Sequence, residues 1–331
     1  MLRYRLGVDI GGTFTDFALV DDVSGKVSVN KALTTPRDPS EAIMHGMKAL
    51  LDDEGLSASQ LDVIVQGTTL ATNALIERKG AKTGMITTQG FKDILEMRRE
   101  TRYDLYDLFI EQPEVVVPRH LRLGVQERVD KDGNIVVELD ETQVAQAVDQ
   151  LVAEGVDSVA VCFLHSYANP INEIRTGEIL AKKVPSLSIS LSSDVAGAIR
   201  EDERFSTTTI NAYIRPLADK YLKSLSDKLA AAGFRGALFT MLSNGGLTTF
   251  EIAKRFPVRL IESGPAGGTM AAVFYSEFLG GGNLVAFDMG GTTAKISMVQ
   301  GGKPSLVSTF EAARLRRFMK GSGLPLMIPA I

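Results

Sequence analysis

The sequence predicts an α/β protein with mixed sheets and helices packed against them. Two observations carry this prediction: the order of strand and helix segments in the first 90 residues, and a turn motif that occurs twice. The 331 residues are 44% hydrophobic and 23% charged, which is ordinary for a soluble globular protein. Because one core rarely grows past about 250 to 300 residues, we expect two domains.

The first 90 residues open with three short apolar segments joined by tight turns, and helices and strands alternate after them. Pro39 marks a helix start, with Asp38 as its N-cap. This β-β-β-α-β-α-β order is typical of a ribonuclease-H-like mixed sheet, not of a dinucleotide-binding domain. The predicted elements are strands at 5–10, 14–20 and 26–33, a helix from 39, a strand at 61–65, a helix at 70–78 and a strand at 82–87.

The rest of the chain is predicted to hold a hairpin at the turn Asp130–Asn134 and a long helical region over 197–232. Whether Pro216 breaks that region is left open. The chain ends on an apolar stretch, so we expect a fragment of a longer polypeptide. We expect one domain at 1–195, and at 196–331 the start of a second domain that is incomplete at its C-terminus.

The turn motif reads apolar strand, Asp, one spacer, Gly-Gly-Thr, then a second apolar strand. It occurs at Asp9, Gly11, Gly12 and Thr13, and again at Asp288, Gly290, Gly291, Thr292 and Thr293. Paired glycines allow positive φ and a close approach of the backbone to a ligand. Successive N–H groups form an anion site, Thr adds a donor, and Asp can hold Mg²⁺ (or Mn²⁺). Two such loops facing across a cleft would grip the β- and γ-phosphates of ATP; the alternative is two tight hairpin turns without a ligand.

Composition argues against several other classes of protein. A net charge of −4 is unlike the basic surface of a nucleic-acid-binding protein. No apolar run reaches the ~18 residues that span a membrane, so we expect a cytoplasmic protein. A single cysteine, Cys162, lies in an apolar strand and is expected to be a buried thiol.

Seven segments, in order, resemble the hydantoinase A / 5-oxoprolinase family within the actin/Hsp70/sugar-kinase superfamily. The similarity covers essentially the whole chain. The segments are Gly7-Val-Asp-Ile-Gly-Gly-Thr-Phe-Thr-Asp16, Gly67-Thr-Thr-Leu-Ala-Thr-Asn-Ala-Leu-Ile-Glu-Arg78, Thr87-Thr-Gln-Gly-Phe-Lys-Asp93, Phe163-Leu-His-Ser-Tyr-Ala-Asn-Pro170, Met241-Leu-Ser-Asn-Gly-Gly246, Ser263-Gly-Pro-Ala-Gly-Gly268 and Asp288-Met-Gly-Gly-Thr-Thr293.

The resemblance implies a two-lobed fold with a nucleotide cleft and a truncated second lobe. It also implies a hydrolase of the hydantoinase, N-methylhydantoinase or 5-oxoprolinase type, which phosphorylates the carbonyl oxygen of a cyclic amide before the ring opens. Such a chain is the ATP-binding subunit of a hetero-oligomer with a B-type subunit. The alternatives are a subunit of an ATP-dependent ketone carboxylase and a non-catalytic, chaperone-like module that responds to nucleotide.

Carried over by position, Asp9 and Asp288 would be catalytic and hold the metal, and the two Gly-Gly-Thr loops would bind phosphate. Two positions depart from the family. Gln66 stands where many members have His, and Ala294-Lys295 stands where many have Ser/Thr-Asp.

Five further residues are substrate candidates, each with a structural alternative. Thr68 and Asn73 lie where a strand meets a helix, and Thr68 or Thr69 is equally expected to cap that helix. His165 could contact a substrate or metal or be structural. Arg204 and Asn211 share a helix face that would line the cleft or be solvated.

Overall fold

The structure is a computed structural model that describes residues 3–35, 38–100, 102–289, 294–316 and 318–331. Its strands are β1 (Tyr4–Ile10), β2 (Phe14–Asp21), β3 (Val27–Leu33), β4 (Val63–Thr68), β5 (Thr83–Thr88), β6 (Arg122–Val125), β7 (Arg128–Val129), β8 (Ile135–Val137), β9 (Ser158–Cys162), β10 (Ser188–Leu191), β11 (Ala237–Met241), β12 (Leu247–Thr249), β13 (Leu284–Met289), β14 (Ala294–Gln300), β15 (Lys303–Pro304), β16 (Phe310–Ala312) and β17 (Leu324–Leu326).

The helices are α1 (Pro39–Asp53), α2 (Leu70–Ile76), α3 (Ile94–Met97), α4 (Glu141–Ala153), α5 (Ile171–Lys183), α6 (Ser192–Val195), α7 (Glu201–Ala231), α8 (Phe250–Arg255) and α9 (Ser263–Phe278). Short 3₁₀ turns lie at Ala58–Gln60, Arg119–Leu121 and Pro257–Leu260. None of the helices in the described ranges is both long and apolar enough to cross a membrane.

The chain divides into two compact units, and each is discontinuous in sequence. Unit 1 comprises Met1–Asn73, Ala218–Val307 and Pro329–Ile331. Unit 2 comprises Ala74–Leu217 and Ser308–Ile328. The predicted boundary at residue 195 separates two regions of the sequence, and it stays a prediction.

Unit 1 contains a mixed sheet of order β12-β11-β4-β1-β2-β3. β2 runs antiparallel to both β1 and β3. β4 runs parallel to β1, and β11 runs parallel to β4. This is the ribonuclease-H-like arrangement, and the fold class predicted from the sequence is confirmed.

The fifth strand of that arrangement was assigned wrongly. The predicted strand at 82–87 exists as β5, but it lies in the sheet of unit 2. Its place beside β4 is taken by β11, whose Ala237 pairs with Val63. The reason is that unit 2 is inserted between these two strands, which a local sequence pattern does not show.

Alternation along β1 and β2 explains why this sheet has a buried face. Leu6, Val8 and Ile10 are buried, and Phe17 and Leu19 follow on β2. Helix α1 covers this face with apolar residues at helical spacing. It begins as predicted, because the Asp38 carboxylate accepts a hydrogen bond from the Ser40 N–H at 3.0 Å.

Unit 2 contains a parallel sheet of order β10-β9-β5-β6. Every residue of β5 and β9 is buried, as expected for strands covered on both faces. Cys162, on β9, is fully buried, and burial raises the pKa of its thiol well above the usual value. The predicted hairpin around Asp130–Asn134 is confirmed by the antiparallel pair β7–β8.

Helix α7 is continuous from Glu201 to Ala231, with Pro216 inside it. The break that the sequence left open at this proline does not occur. The helix passes from unit 2 to unit 1 at Leu217, immediately after the proline.

Candidate functional site

The turn of the first Gly-Gly-Thr motif is fixed by hydrogen bonds on both sides. The Gly11 N–H donates to the Phe14 carbonyl at 2.9 Å. The Thr34 N–H donates to the Thr13 carbonyl, and the Thr34 hydroxyl donates to the Gly11 carbonyl, both at 2.9 Å. The chain after β3 therefore holds the turn in one conformation.

The two glycines of this turn have different roles, and neither has positive φ. The positive φ that paired glycines allow is therefore not used at this turn. A Cβ at Gly11 would lie 2.9 Å from the Phe14 oxygen, so the closing hydrogen bond requires glycine there. A Cβ at Gly12 would meet nothing within 4 Å, which leaves its backbone open to approach from outside.

Asp9 lies near the end of β1, opposite Asp16 on β2 and beside Gly67 on β4. A Cβ at Gly67 would be 3.1 Å from Asp9 Oδ1, and one at Gly264 would be 3.9 Å away. Glycines on two neighbouring elements thus leave room around this carboxylate.

The Asp9 carboxyl sits in an acidic environment. Its pKa is raised, first by partial loss of water around it and then by the negative charges of Asp16 and Asp288. Asp16 is itself paired with Lys31, whose Nζ lies 3.1 Å from Oδ1. A cation between Asp9 and an incoming phosphate would relieve this repulsion.

The second motif is described only in part. Asp288 is the penultimate residue of β13 and lies opposite Lys295 on β14. Gly290, Gly291, Thr292 and Thr293 lie outside the described residues, so the second phosphate loop stays a prediction. The Lys295 Nζ forms an ion pair with the Glu262 carboxylate.

The start of α9 is tied to the end of β4 within unit 1. Glu262 has φ +66° at the N-cap, and its N–H donates to the Thr72 hydroxyl at 3.1 Å. The Ser263 hydroxyl donates to the Thr68 carbonyl at 3.1 Å. These bonds place the first turn of α9 beside Asp9.

Thr68 and Asn73 are both in unit 1, next to this region. The Thr68 hydroxyl accepts from the Leu70 N–H at 3.1 Å and so stabilises the start of α2, as predicted. Asn73 Nδ2 donates to the Thr69 hydroxyl at 3.2 Å. Their substrate role stays a prediction.

His165, Arg204 and Asn211 belong to unit 2. Arg204 is fully buried, and its donors reach the carbonyls of Phe163 (2.9 Å) and Ala198 (3.0 Å) and the hydroxyl of Ser192 (3.2 Å). The alternative that this helix face is solvated is therefore wrong. The substrate role of all three residues stays a prediction.

The other two candidates in unit 2 also have protein contacts. Asn211 is fully buried, and its Nδ2 donates to the Ser190 hydroxyl at 3.1 Å. His165 has φ +52°, and its Nδ1 lies 3.2 Å from the Tyr167 hydroxyl.

Gln66 faces away from Asp9, because successive residues of a strand point to opposite faces. It is 1% exposed, and its Oε1 accepts a hydrogen bond from the Tyr221 hydroxyl at 2.6 Å. Residue 66 is therefore an interior position in this chain.

The acidic residues fit a hydrated cation. Within the described ranges, no three His, Cys, Asp or Glu side chains come together as a direct metal cage. Mg²⁺ usually keeps several waters and binds through one or two carboxylates plus phosphate oxygens. Asp9, whose charge is disfavoured by its acidic neighbours, suits that mode of binding.

Sequence reasoning missed Asp16, Lys295 and Glu262 as members of this region. The first two follow from hairpin register, since a turn centred between Gly12 and Thr13 pairs residue 9 with 16. The same register around the second turn pairs 288 with 295. Glu262 has no such local signal, because a tertiary contact brings it to Lys295.

Comparison with known proteins places this architecture in a family. The caprolactamase alpha subunit of Pseudomonas jessenii is 34% identical over 95% of this chain and 46% of its own length. The caprolactamase crystal structure matches 98% of this chain and 47% of that chain, with a TM-score of 0.84 and 33% identity. The nucleotide-free structure of ATP-dependent acetone carboxylase matches 100% of this chain and 47% of that chain, with a TM-score of 0.88 and 29% identity.

The 5-oxoprolinase of Saccharomyces cerevisiae is 33% identical over 90% of this chain and 26% of its own length. The chain thus spans half or less of the length of these relatives. Residues 5–184 match the hydantoinase/oxoprolinase N-terminal region, and residues 204–331 match the hydantoinase/oxoprolinase family. Together with the ribonuclease-H-like sheet and its Asp9 turn, these matches show that the chain belongs to the hydantoinase/oxoprolinase family.

Proposed function

We propose that this chain forms the ATP-binding part of an ATP-dependent cyclic amide hydrolase. The observation that carries the proposal is Asp9, which lies near the end of a central strand beside a fixed glycine turn and has glycine neighbours at Gly67 and Gly264. The relatives named caprolactamase and 5-oxoprolinase support the substrate class. Because the chain spans only part of those proteins, the activity of the whole protein belongs to the proposal.

In this proposal the turn Gly11 to Thr13 contacts phosphate oxygens through its N–H groups and the Thr13 hydroxyl. Asp9 and Asp288 hold Mg²⁺ or Mn²⁺, which neutralises charge on the phosphates. The loop of Gly290, Gly291, Thr292 and Thr293 repeats the phosphate contacts on the second hairpin.

The reaction proposed for the whole protein has two steps. The amide carbonyl oxygen attacks the γ-phosphorus of ATP, and ADP leaves with the electron pair of the broken P–O bond. In the second step, hydrolysis, water adds to the activated carbon, the C–N bond of the ring breaks as the nitrogen takes a proton, and a second water hydrolyses the resulting acyl phosphate to carboxylate and phosphate. Thr68, Asn73, His165, Arg204 and Asn211 are the candidates for substrate contacts.

We also propose a B-type subunit as partner in a cytoplasmic hetero-oligomer. The support is that the Pseudomonas relative is named as an alpha subunit. Relatives among ketone carboxylases are likewise named as subunits, such as the acetone carboxylase beta subunit of Xanthobacter autotrophicus.

The second candidate is a subunit of an ATP-dependent ketone carboxylase. It is favoured by the acetone carboxylase structure, which covers the whole chain with a TM-score of 0.88. ADP release decides between the two: a lactam or hydantoin should stimulate it in a hydrolase, and a ketone with bicarbonate in a carboxylase. A protein that hydrolyses ATP without response to either would be a nucleotide-responsive module.

The first test is calorimetric binding of Mg-ATP to the full-length protein and to Asp9→Ala, Asp288→Ala and Gly67→Ala. The new methyl group of Gly67→Ala would displace the Asp9 carboxylate, so we expect a loss of affinity of about tenfold or more. Gly7→Ala is the matched control, because its Cβ would have only an ordinary 3.7 Å contact with the Ala18 oxygen. A folded parent that does not bind Mg-ATP would overturn the proposal.

A further inference from the structure

The two hairpins share one construction but differ in one pair of residues. β1–β2 places Asp9 opposite Asp16, whereas β13–β14 places Asp288 opposite Lys295. Directly opposite residues of an antiparallel pair project from the same face. The first hairpin therefore presents two carboxylates, and the second presents a carboxylate and an ammonium group.

We propose that Lys295 binds a phosphate oxygen of the nucleotide, and that Glu262 holds the lysine side chain at the site before the nucleotide arrives. The inference rests on the proposed function, because it concerns the same nucleotide site. It gives the second hairpin a direct charged contact with the phosphate anion that the first hairpin, with Asp16 at the corresponding position, does not have.

The Lys295–Glu262 pair differs from an ordinary surface ion pair. Its side chains are 28% and 30% exposed, whereas those of the helical pair Lys48–Asp52 are 73% and 60% exposed. A half-buried ammonium group needs a partner, and a phosphate oxygen could replace the Glu262 carboxylate in that role.

The backbone of Glu262 is held in a conformation that a residue with a side chain seldom adopts. Its φ is +66°, and the hydrogen bond to Thr72 and the neighbouring Ser263–Thr68 bond hold it there. The Glu262 side chain does not cap α9, although it stands at the N-cap. Its carboxylate is used to hold Lys295 instead, and conformations of this kind concentrate at functional sites.

Charge gives the reason for a lysine at this place. Asp9 is already affected by the negative charges of Asp16 and Asp288. A nucleotide adds several more negative charges to the same region. An ammonium group is a compact point charge that suits a phosphate oxygen, and Lys295 can supply it from the strand that pairs with Asp288.

Lys295→Met in the full-length protein tests this inference, with calorimetric binding of Mg-ATP, Mg-ADP and AMP as the readout. Loss of one charged hydrogen bond should weaken Mg-ATP and Mg-ADP binding by about tenfold or more, and AMP binding much less. Lys295→Arg should retain most of the affinity, because it keeps the charge. The matched control is Lys254→Met, since Lys254 is 21% exposed and pairs with Glu251 at 2.9 Å in the same unit.

Glu262→Gln should not weaken nucleotide binding as Lys295→Met does. If Glu262 only holds the lysine, freeing Lys295 should leave nucleotide affinity unchanged or increase it. If Glu262→Gln loses as much affinity as Lys295→Met, the pair is a structural support and the inference is wrong.

Two failures can be told apart. A parent protein that does not bind Mg-ATP overturns the proposed function as well as this inference. If the parent binds Mg-ATP, and a folded Lys295→Met variant has the same affinity and the same preference for ATP over AMP, this inference alone is overturned.

Discussion

The carboxyl group of Asp202 lies in the first turn of α7 and is held partly out of water. Burial raises its pKa to about 6. The positive charge of Arg98 lowers this pKa, and the negative charge of Glu203 raises it further. The unfolded chain ionises this group near its ordinary value of 3.8. Between these two values the folded state binds more protons, so the group makes the protein less stable as the pH rises.

Asp202→Asn should therefore stabilise the protein at pH 8 relative to pH 4. Between pH 4 and pH 8, the difference in unfolding free energy between variant and parent should change by about 1 to 2 kcal/mol in favour of the variant. This is less than the pKa difference alone would give, because the carboxyl keeps some solvent contact. Urea unfolding at both pH values measures it. An equal difference at pH 4 and pH 8 would show that Asp202 ionises in the folded protein as in the unfolded chain.

At the same scale, the sequence predicted the part of the site that is local. Asp9, Gly11, Gly12 and Thr13 follow one another along the chain, and the repeat at Asp288 makes them recognisable. Their surroundings were not predictable in this way. Gly264 and Glu262 reach the site because α9 is tied to β4, almost 200 residues away in sequence.

Among the elements, α1 and β2 pack through a glycine. A Cβ at Gly46 would lie 2.2 Å from the ring of Phe17. The helix can therefore approach the strand this closely only because residue 46 has no side chain. The Asn30 side chain also donates to the Gly46 carbonyl at 3.0 Å. Gly46 is therefore a packing position, although alanine is the better helix former.

Gly46→Ala should destabilise the protein by about 1 to 3 kcal/mol, because overpacking outweighs the gain in helix propensity. Chemical denaturation measures the loss. The double variant with Phe17→Leu should lose less than the sum of the two single changes, since the smaller side chain makes room for the methyl group. A stabilising Gly46→Ala would show that the helix moves away from the strand at little cost.

Element positions followed closely from sequence where apolar periodicity was clear. β2 was expected at 14–20 and extends from Phe14 to Asp21, and α1 was expected to begin at Pro39, as it does. No strand was predicted at the position of β6, which follows Pro113 and Pro118 along the chain. It is four residues long, too short for a period to be visible, and its pairing with β5 is what makes it a strand.

At the scale of the molecule, the discontinuity of the units has a consequence for folding. The segment 1–195 holds only the first part of unit 1 and lacks β11 and all of α7, whose second half belongs to unit 1. In that half, Leu222, Leu225 and Leu229 are buried. A fragment of residues 1–195 would therefore leave a large apolar surface of unit 1 in water.

We expect the fragment 74–217 to unfold cooperatively in urea and the longer fragment 1–195 not to do so. The shorter one keeps the β10-β9-β5-β6 sheet and the part of α7 that covers it, including Phe205 and Ala212. Fluorescence and circular dichroism through the same titration provide the comparison. The assignment of units would be contradicted if 1–195 unfolded cooperatively and its unfolding free energy depended on urea concentration in proportion to the length of the fragment.

The fixed turn of the first hairpin also bears on how such chains can diverge. Removing one residue between Ile10 and Phe14 would move each side chain of one strand to the other face and turn Asp9 or Asp16 inward. The connection from Asp21 to Val27 leads to β3, an edge strand with no buried residue, so a change of register there moves no core side chain. Insertions and deletions among descendants of this gene should therefore accumulate between β2 and β3 and be purged from Gly11 to Thr13.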